Sequence, residues 1–486
     1  MYTSLYMSLY TGFPEGGWFG ISRVETGKYL MRSLVVVNIV GLTPQLVDER
    51  MPNLQALAAE GFQAELGTVL PAVTCSAQAT MLTGCLPRDH GIVGNGWYCR
   101  EHSEIQMWKQ SNHLVKAEKV WERARARNSD FTCAKLFWWY NMYSGVDWSV
   151  TPRPSYHADG RKTPDFYAHP PELRDALKLE LGEFPLFNFW GPLSGIRSSE
   201  WIGRCAEQVV SMHRPNLTLV YLPHLDYDLQ RYGPVFPGLD ENLREVDRVA
   251  GGIIDRARQS DMEVIVLSEY GITPVTDSIS INLALRETGL LKVHRAQNGE
   301  LLDAGASEAF ALSDHQVAHV YVRAEDNRSS VKRLLEELPG VAEVLDEDGK
   351  AAHGLDHPRS GDLVAVAEPG RWFDYYYWID EAAAPDFART VDIHRKPGYD
   401  PLELVLDPAR PLLMPRLGLK RLASKAGFRT LMDCVPLEPG LLGGSHGRLP
   451  SNPDEGPVLI SSSGKHAAAR LEMTEVSDHL LATIFD

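Results

Sequence analysis

The sequence predicts an α/β fold: a central, mostly parallel sheet flanked by helices, with a smaller α+β unit inserted into it. Three observations carry this. The runs LVVVNIV (34–40), LTLVYL (217–222) and MEVIVL (262–267) are short and dominated by β-branched and apolar residues, as strands buried on both faces of a parallel sheet must be. Each runs out into a loop carrying glycine or acid, and helical patterns separate them. In open α/β sheets such strand exits gather at one edge, where ligands bind.

The elements follow in order. Residues 1–30 lack the basic start and unbroken apolar core of a secretory leader, with Glu15 and Glu25 interrupting, and are expected to form a mobile extension. The core is expected over 31–290. Pro52 opens NLQALAAEGF, whose Leu54, Leu57 and Ala58 share one helical face and whose Gly61 supplies a stop. Leu243, Val246, Val249, Ile253 and Ile254 mark an amphipathic helix. Over 291–368 the segments AHVYV, SVKRLLEELPG, VAEVLD and DLVAVAE read as an inserted α+β subdomain. Residues 369–440 are rich in proline and aromatics (RWFDYYYWID, HRKPGYDP, ARPLLMPRLG) and read as a lid or long functional loop region. The core resumes over 441–486 and closes with the helix MTEVSDHLLATIF.

Composition excludes some functions. The 486 residues suit one large α/β domain with a cap. Forty-eight Lys and Arg against 64 Asp and Glu give a net charge of −16, which argues against a surface that coats nucleic acid but not against a small phosphorylated substrate. No stretch approaches the roughly 20 apolar residues of a membrane span, so a cytoplasmic protein is expected. Six cysteines, scattered without C-x-x-C spacing, point to reduced thiols.

The stretch from Leu70 to Ile92, LPAVTCSAQATMLTGCLPRDHGI, carries the most chemistry. A threonine at a helix start sits beside unpaired amides that favour an anion. Thr74, Thr80, Thr83, Gly84, Pro87, His90, Gly91 and Ile92 fall on a pattern that resembles the nucleophile region of the type I phosphodiesterase/nucleotide pyrophosphatase family, in the alkaline phosphatase superfamily. YLPHLDYDLQRYGP (221–234), VIVLSEYG (264–271) and GGSHGRLP (443–450) resemble that family's later metal-binding motifs, in the same order.

The resemblance implies an alkaline-phosphatase-like fold and a metal-dependent hydrolase of a phosphoric mono- or diester. Thr74 would be the nucleophile, with one or two divalent ions, zinc first and manganese second. By position the ions would be held by Asp226, Glu269 and His446, with Gln230 where the family has histidine. Two further family ligands fall on Tyr270 and Val40. Because a neutral amide and a valine are poor substitutes, Asp392 and His394 are candidate recruited ligands. Asp314, His315 and His319 in SDHQVAH are further candidates, although the two histidines flank an expected strand and read first as structural; Cys75 is expected to pack. A non-catalytic descendant that binds a phosphorylated metabolite or partner is the alternative, and phosphonate hydrolysis a further one. Cys75 lacks a C-x-P-x-R context, which disfavours a sulfatase.

Overall fold

The computed structural model describes residues 31–158 and 162–486; the expected extension over 1–30 lies outside the described residues. The strands of the two larger sheets are β1 (Ser33–Ile39), β2 (Phe62–Leu66), β3 (Cys133–Leu136), β4 (Trp148–Pro152), β5 (Phe166–His169), β6 (Leu217–Leu222), β7 (Met262–Leu267), β8 (Ala309–Asp314), β9 (Val317–Val322), β10 (Val341–Leu345), β11 (Leu363–Ala367), β12 (Val458–Ser461) and β13 (Arg470–Leu471). Nine of them form the central sheet in the order β13-β2-β12-β7-β1-β6-β3-β4-β5. The run from β7 through β4 is parallel, and β12 and β5 pair antiparallel at either side.

β1 lies in the middle because LVVVNIV has no polar face to offer water. Leu34 to Val37 are fully buried, consistent with a strand covered on both sides. The named helices are α1 (Pro52–Glu60), α2 (Thr74–Thr83), α3 (Ile196–His213), α4 (His224–Tyr232), α5 (Leu239–Gln259) and α6 (Val476–Phe485). Leu54 and Leu57 of α1 are buried, and Gly61 caps its end. On α5, Leu243, Val246, Val249, Ile253 and Ile254 turn inward as their spacing predicts. A mixed α/β architecture with a large, mostly parallel sheet is therefore observed.

The inserted unit is a four-stranded antiparallel sheet, β8-β9-β11-β10, with a helix over Arg328–Glu336. Its core does not stop at 368. Trp372, Phe373, Tyr375 and Tyr377 are buried in the same apolar cluster as Leu312, Val320 and Leu363, and Arg371–Phe373 pairs with Asp277–Ile279. The aromatic run at the start of the expected lid or loop region thus packs as core, since rings this large gain most from burial.

Residues 396–403 add a buried ionic triad. Lys396 Nζ lies 2.7 Å from both Asp400 Oδ2 and Glu403 Oε1, with all three side chains essentially inaccessible. Removing the cation strands two buried carboxylates. Lys396→Met, which keeps the volume of the stem, is expected to cost about 3 kcal/mol, the lower end for breaking a buried pair. Urea denaturation at pH 7 measures it.

Candidate active site

Thr74 opens α2. The chain arrives from β2 with Val73 extended (φ −131°, ψ 159°), and no side chain caps the helix, leaving part of its amide end to other partners. One of these is Asn95, whose Oδ1 accepts from the Cys75 amide at 3.1 Å. Asn95 is in turn gripped by Asp314, through its backbone N–H and its Nδ2, both at 2.8 Å.

Tyr270, three residues beyond β7, places its hydroxyl 3.1 Å from Thr74 Oγ1 and donates it to Asp226 Oδ1 at 3.2 Å. With the phenol proton on Asp226, Thr74 donates to the phenol oxygen. The other Asp226 oxygen accepts from Gln230 Nε2 at 2.7 Å, and Gln230 Oε1 accepts from Tyr399 at 3.0 Å. Asp226 and Gln230 meet because they are one turn apart on α4, the i, i+4 spacing that puts side chains on one face. The sequence reads the exit of β6 as a loop, so the helix is a correction.

Glu269, the residue before Tyr270, is fully buried. Asn38 Nδ2 and Gln78 Nε2 both donate to its Oε1 at 2.6 Å, and Oε2 has no partner. Burial pushes its carboxyl up to about 8, against those two amides. Burial likewise pushes Asp226 up to about 7 against Gln230 and Tyr270, so both acids lean toward the neutral form near neutral pH.

His446 comes in from the late glycine loop. A Cβ on Gly443 would fall 2.3 Å from the Tyr232 carbonyl carbon, and one on Gly444 2.2 Å from the Leu229 oxygen. Only glycines let this backbone lie against the end of α4. The imidazole then stacks on Tyr270, with ring centroids 3.5 Å apart and planes 8° from parallel. Its Nδ1 meets the Ala72 carbonyl at 2.8 Å, whereas Nε2 is buried with no partner. Burial drives its pKa down to about 3, so the ring is neutral. His315 follows at 3.6 Å from His446 and 3.9 Å from Tyr399, tying the inserted sheet to the site.

The expected ligand set is thus only partly brought together. Thr74, Asp226, Gln230, Glu269 and His446 surround Tyr270. Asp392 instead pairs with Arg395 at 2.5 Å, and His394 reaches the Met107 carbonyl at 3.4 Å; neither is recruited. Among the described residues no three His, Cys, Asp or Glu side chains converge as a cage for a metal ion. The reasons are local. Val40 is apolar and fully buried, the Gln230 amide is turned onto Asp226, and the Tyr270 phenol fills the space between Thr74 and Asp226. A zinc or manganese pair does not fit this donor set.

Two residues, Asn95 and Tyr399, escaped the sequence reading. Asn95 follows the matched H-G-I by only three positions, in a glycine-flanked turn that was a signal. Tyr399 reaches the site from the segment after the inserted sheet, and nothing local in PGYD announces that; Asp314 and His315, candidates by sequence, reach it from the insert, through Asn95 and His446. His319 does stay structural, bonded to the Val93 carbonyl at 2.9 Å and the Gly361 amide at 3.1 Å. Beside the site lies a cleft of about 10 Å³, room for roughly one water, lined by Thr68, Ala72, Tyr270, His446 and Arg448 among others. A larger open cleft, between α3 and α5, contains none of the site residues.

A sequence model of the type I phosphodiesterase/nucleotide pyrophosphatase family matches residues 34–400. An uncharacterised pyrophosphatase/phosphodiesterase of Schizosaccharomyces pombe is 26% identical over 240 residues, a match spanning 47% of this chain and 42% of the relative. Phosphonoacetate hydrolase of Sinorhizobium meliloti, solved with phosphonoformate, has a TM-score of 0.62 at 16% identity, covering 94% of this chain and 96% of that one. An inactive threonine-to-alanine variant of murine ectonucleotide pyrophosphatase/phosphodiesterase 5, solved with AMP, has a TM-score of 0.55 at 14% identity, covering 93% of this chain and 94% of that one.

Proposed function

Because the chain belongs to the type I phosphodiesterase/nucleotide pyrophosphatase family, we propose that it hydrolyses a small phosphoric ester or phosphonate with Thr74 as covalent nucleophile. The observation that supports this most directly is the chain of hydrogen bonds from Thr74 through Tyr270 to Asp226, set at the uncapped start of α2. In this reading Thr74 Oγ attacks phosphorus. Its proton passes to the Tyr270 oxygen while the phenol proton passes to the Asp226 carboxylate. The bond from phosphorus to the leaving group breaks, and water protonates the departing atom. Water then attacks the phosphothreonine, and reversal of the relay restores Thr74. An acceptor whose pKa is about 7 is suited to that transfer near neutral pH. Amides at the start of α2 would face the charge that develops on the phosphoryl oxygens.

Members of this family are metal-dependent. Since the donor set here does not suit a metal pair, no step is assigned to one. Arg448, on the wall of the cleft beside Tyr270, would offer a cation to a phosphoryl oxygen.

A second reading, a non-catalytic protein that binds such a ligand, is favoured by one observation: amides and a phenol already satisfy the bonded oxygens of both site acids. Bis-p-nitrophenyl phosphate and phosphonoacetate, each with EDTA present, separate the two. The expected result is turnover that EDTA leaves unchanged, and an acid-quenched phosphothreonine at position 74 by mass spectrometry. Binding of phosphonoacetate by calorimetry, with no adduct and no turnover even with zinc or manganese added, would establish the second reading.

A further inference from the structure

A strip of this acidic chain is wholly cationic. Between Pro408 and Met432 there are six Lys or Arg and no Asp or Glu, in a protein of net charge −16. The strip contains a helix, Leu413–Lys425. Leu413 is buried in the apolar cluster of the inserted unit and Leu417, one turn later, packs against it, so one face of the helix is partnered. The opposite face is not. Pro415, Leu419 and Leu422 follow the i, i+4, i+7 rule of a single stripe, and Leu419 and Leu422 are 69% and 64% exposed. Leu412 before the helix is 76% exposed and Phe428 after it 68% exposed, which extends the apolar surface past both ends.

Charge borders that surface. Arg410, Arg416 and Lys420 converge on Asp433. Arg421, Lys425 and Arg429 are exposed and, among the described residues, have no acidic partner. An apolar stripe edged by unpaired cations is the composition of a helix that lies in the plane of an anionic lipid surface, apolar side inserted and cations at the headgroups. Thirteen residues rise about 20 Å, too short to span a bilayer, and among the described residues no helix is long and apolar enough to do so. A soluble partner would have to be acidic and apolar at once, and this chain, itself acidic, would repel another copy everywhere except at this strip.

We propose that the segment 412–429 docks the protein peripherally on membranes containing anionic lipid. The cations draw it to the surface and Leu419, Leu422 and Phe428 enter the interface. The inference rests on surface composition alone and holds whichever reading of the Thr74 site is right.

Flotation of the full chain with vesicles at physiological ionic strength tests it. Co-flotation is expected with vesicles of phosphatidylcholine plus phosphatidylserine, and at least tenfold less with phosphatidylcholine alone. Arg421→Glu/Lys425→Glu/Arg429→Glu and, separately, Leu419→Asp/Leu422→Asp should each weaken partitioning at least tenfold. Their exposed positions leave the fold intact, which circular dichroism verifies. Failure of the unmodified chain to float with the mixed vesicles overturns the proposal. So does a dimer in sedimentation velocity that Leu419→Asp/Leu422→Asp converts to monomer, which would assign the face to a second copy.

Discussion

Thr74→Ala is expected to lower kcat by roughly three orders of magnitude or more, the scale seen when a covalent nucleophile is removed, with KM for the same phosphodiester little changed. The hydroxyl is the only group at position 74 that reaches Tyr270, at 3.1 Å, and its loss leaves the Tyr270–Asp226 bond intact. Thermal unfolding should therefore shift little, because the phenol keeps its acceptor and the vacated volume is one hydroxyl and one methyl rotor. Stopped kinetics with an acid quench would show the phosphothreonine in the parent chain and not in the variant. Thr74→Ser is the companion: it retains the oxygen and should keep measurable turnover and the adduct. A Thr74→Ala protein with full activity would exclude this nucleophile.

The second large effect is on stability, and its sign depends on pH. Glu269 is raised by burial from 4.5 to about 8. Its folded state therefore favours the protonated form. The stability this provides is complete below the unfolded pKa and is lost as pH rises through about 8. Glu269→Gln supplies a permanently neutral side chain whose oxygen still accepts from Asn38 and Gln78. The variant should match the parent near pH 4 to 5 and exceed it increasingly toward pH 9. At about 1.4 kcal/mol per pKa unit, the ceiling of that gain is roughly 5 kcal/mol. Guanidinium titrations across that pH range measure it. A variant that is less stable than the parent at pH 9 would mean that Glu269 is held as a carboxylate.

The buried imidazoles work in the other direction. His446 and His90 are each lowered by burial to about 3, and His319 to about 4, so their contribution is present above the unfolded value near 6.5 and is lost as pH falls below it. Burial of the acid and of the imidazoles thus acts with opposite sign on the stability of the parent chain as pH changes.

Much of the architecture was legible because it depends on local pattern. LVVVNIV reads as a doubly buried strand and lies at the centre of the sheet; the α5 stripe reads as an amphipathic helix and packs inward. Thr74 at a helix start was equally legible, since strand exit, proline and threonine are contiguous. The pairing within the site was not. Asn38 meets Glu269 across 231 positions of sequence, and His315 meets His446 across the boundary between core and insert. No periodicity encodes such contacts. The expectation that Asp392 and His394 would replace the missing ligands failed for a related reason: the vacated positions were filled not by new metal donors but by Asn38, Gln78 and Tyr270 bonding to the acids that remained.

The ring stack has a mechanical meaning. Tyr270 and His446 belong to the core, His315 to the inserted sheet and Tyr399 to the segment that follows it. Lifting the inserted sheet would peel His315 away from both neighbours and leave buried aromatic faces open to water. The insert is therefore held to the core through stacked rings, and separating the two would have to expose them.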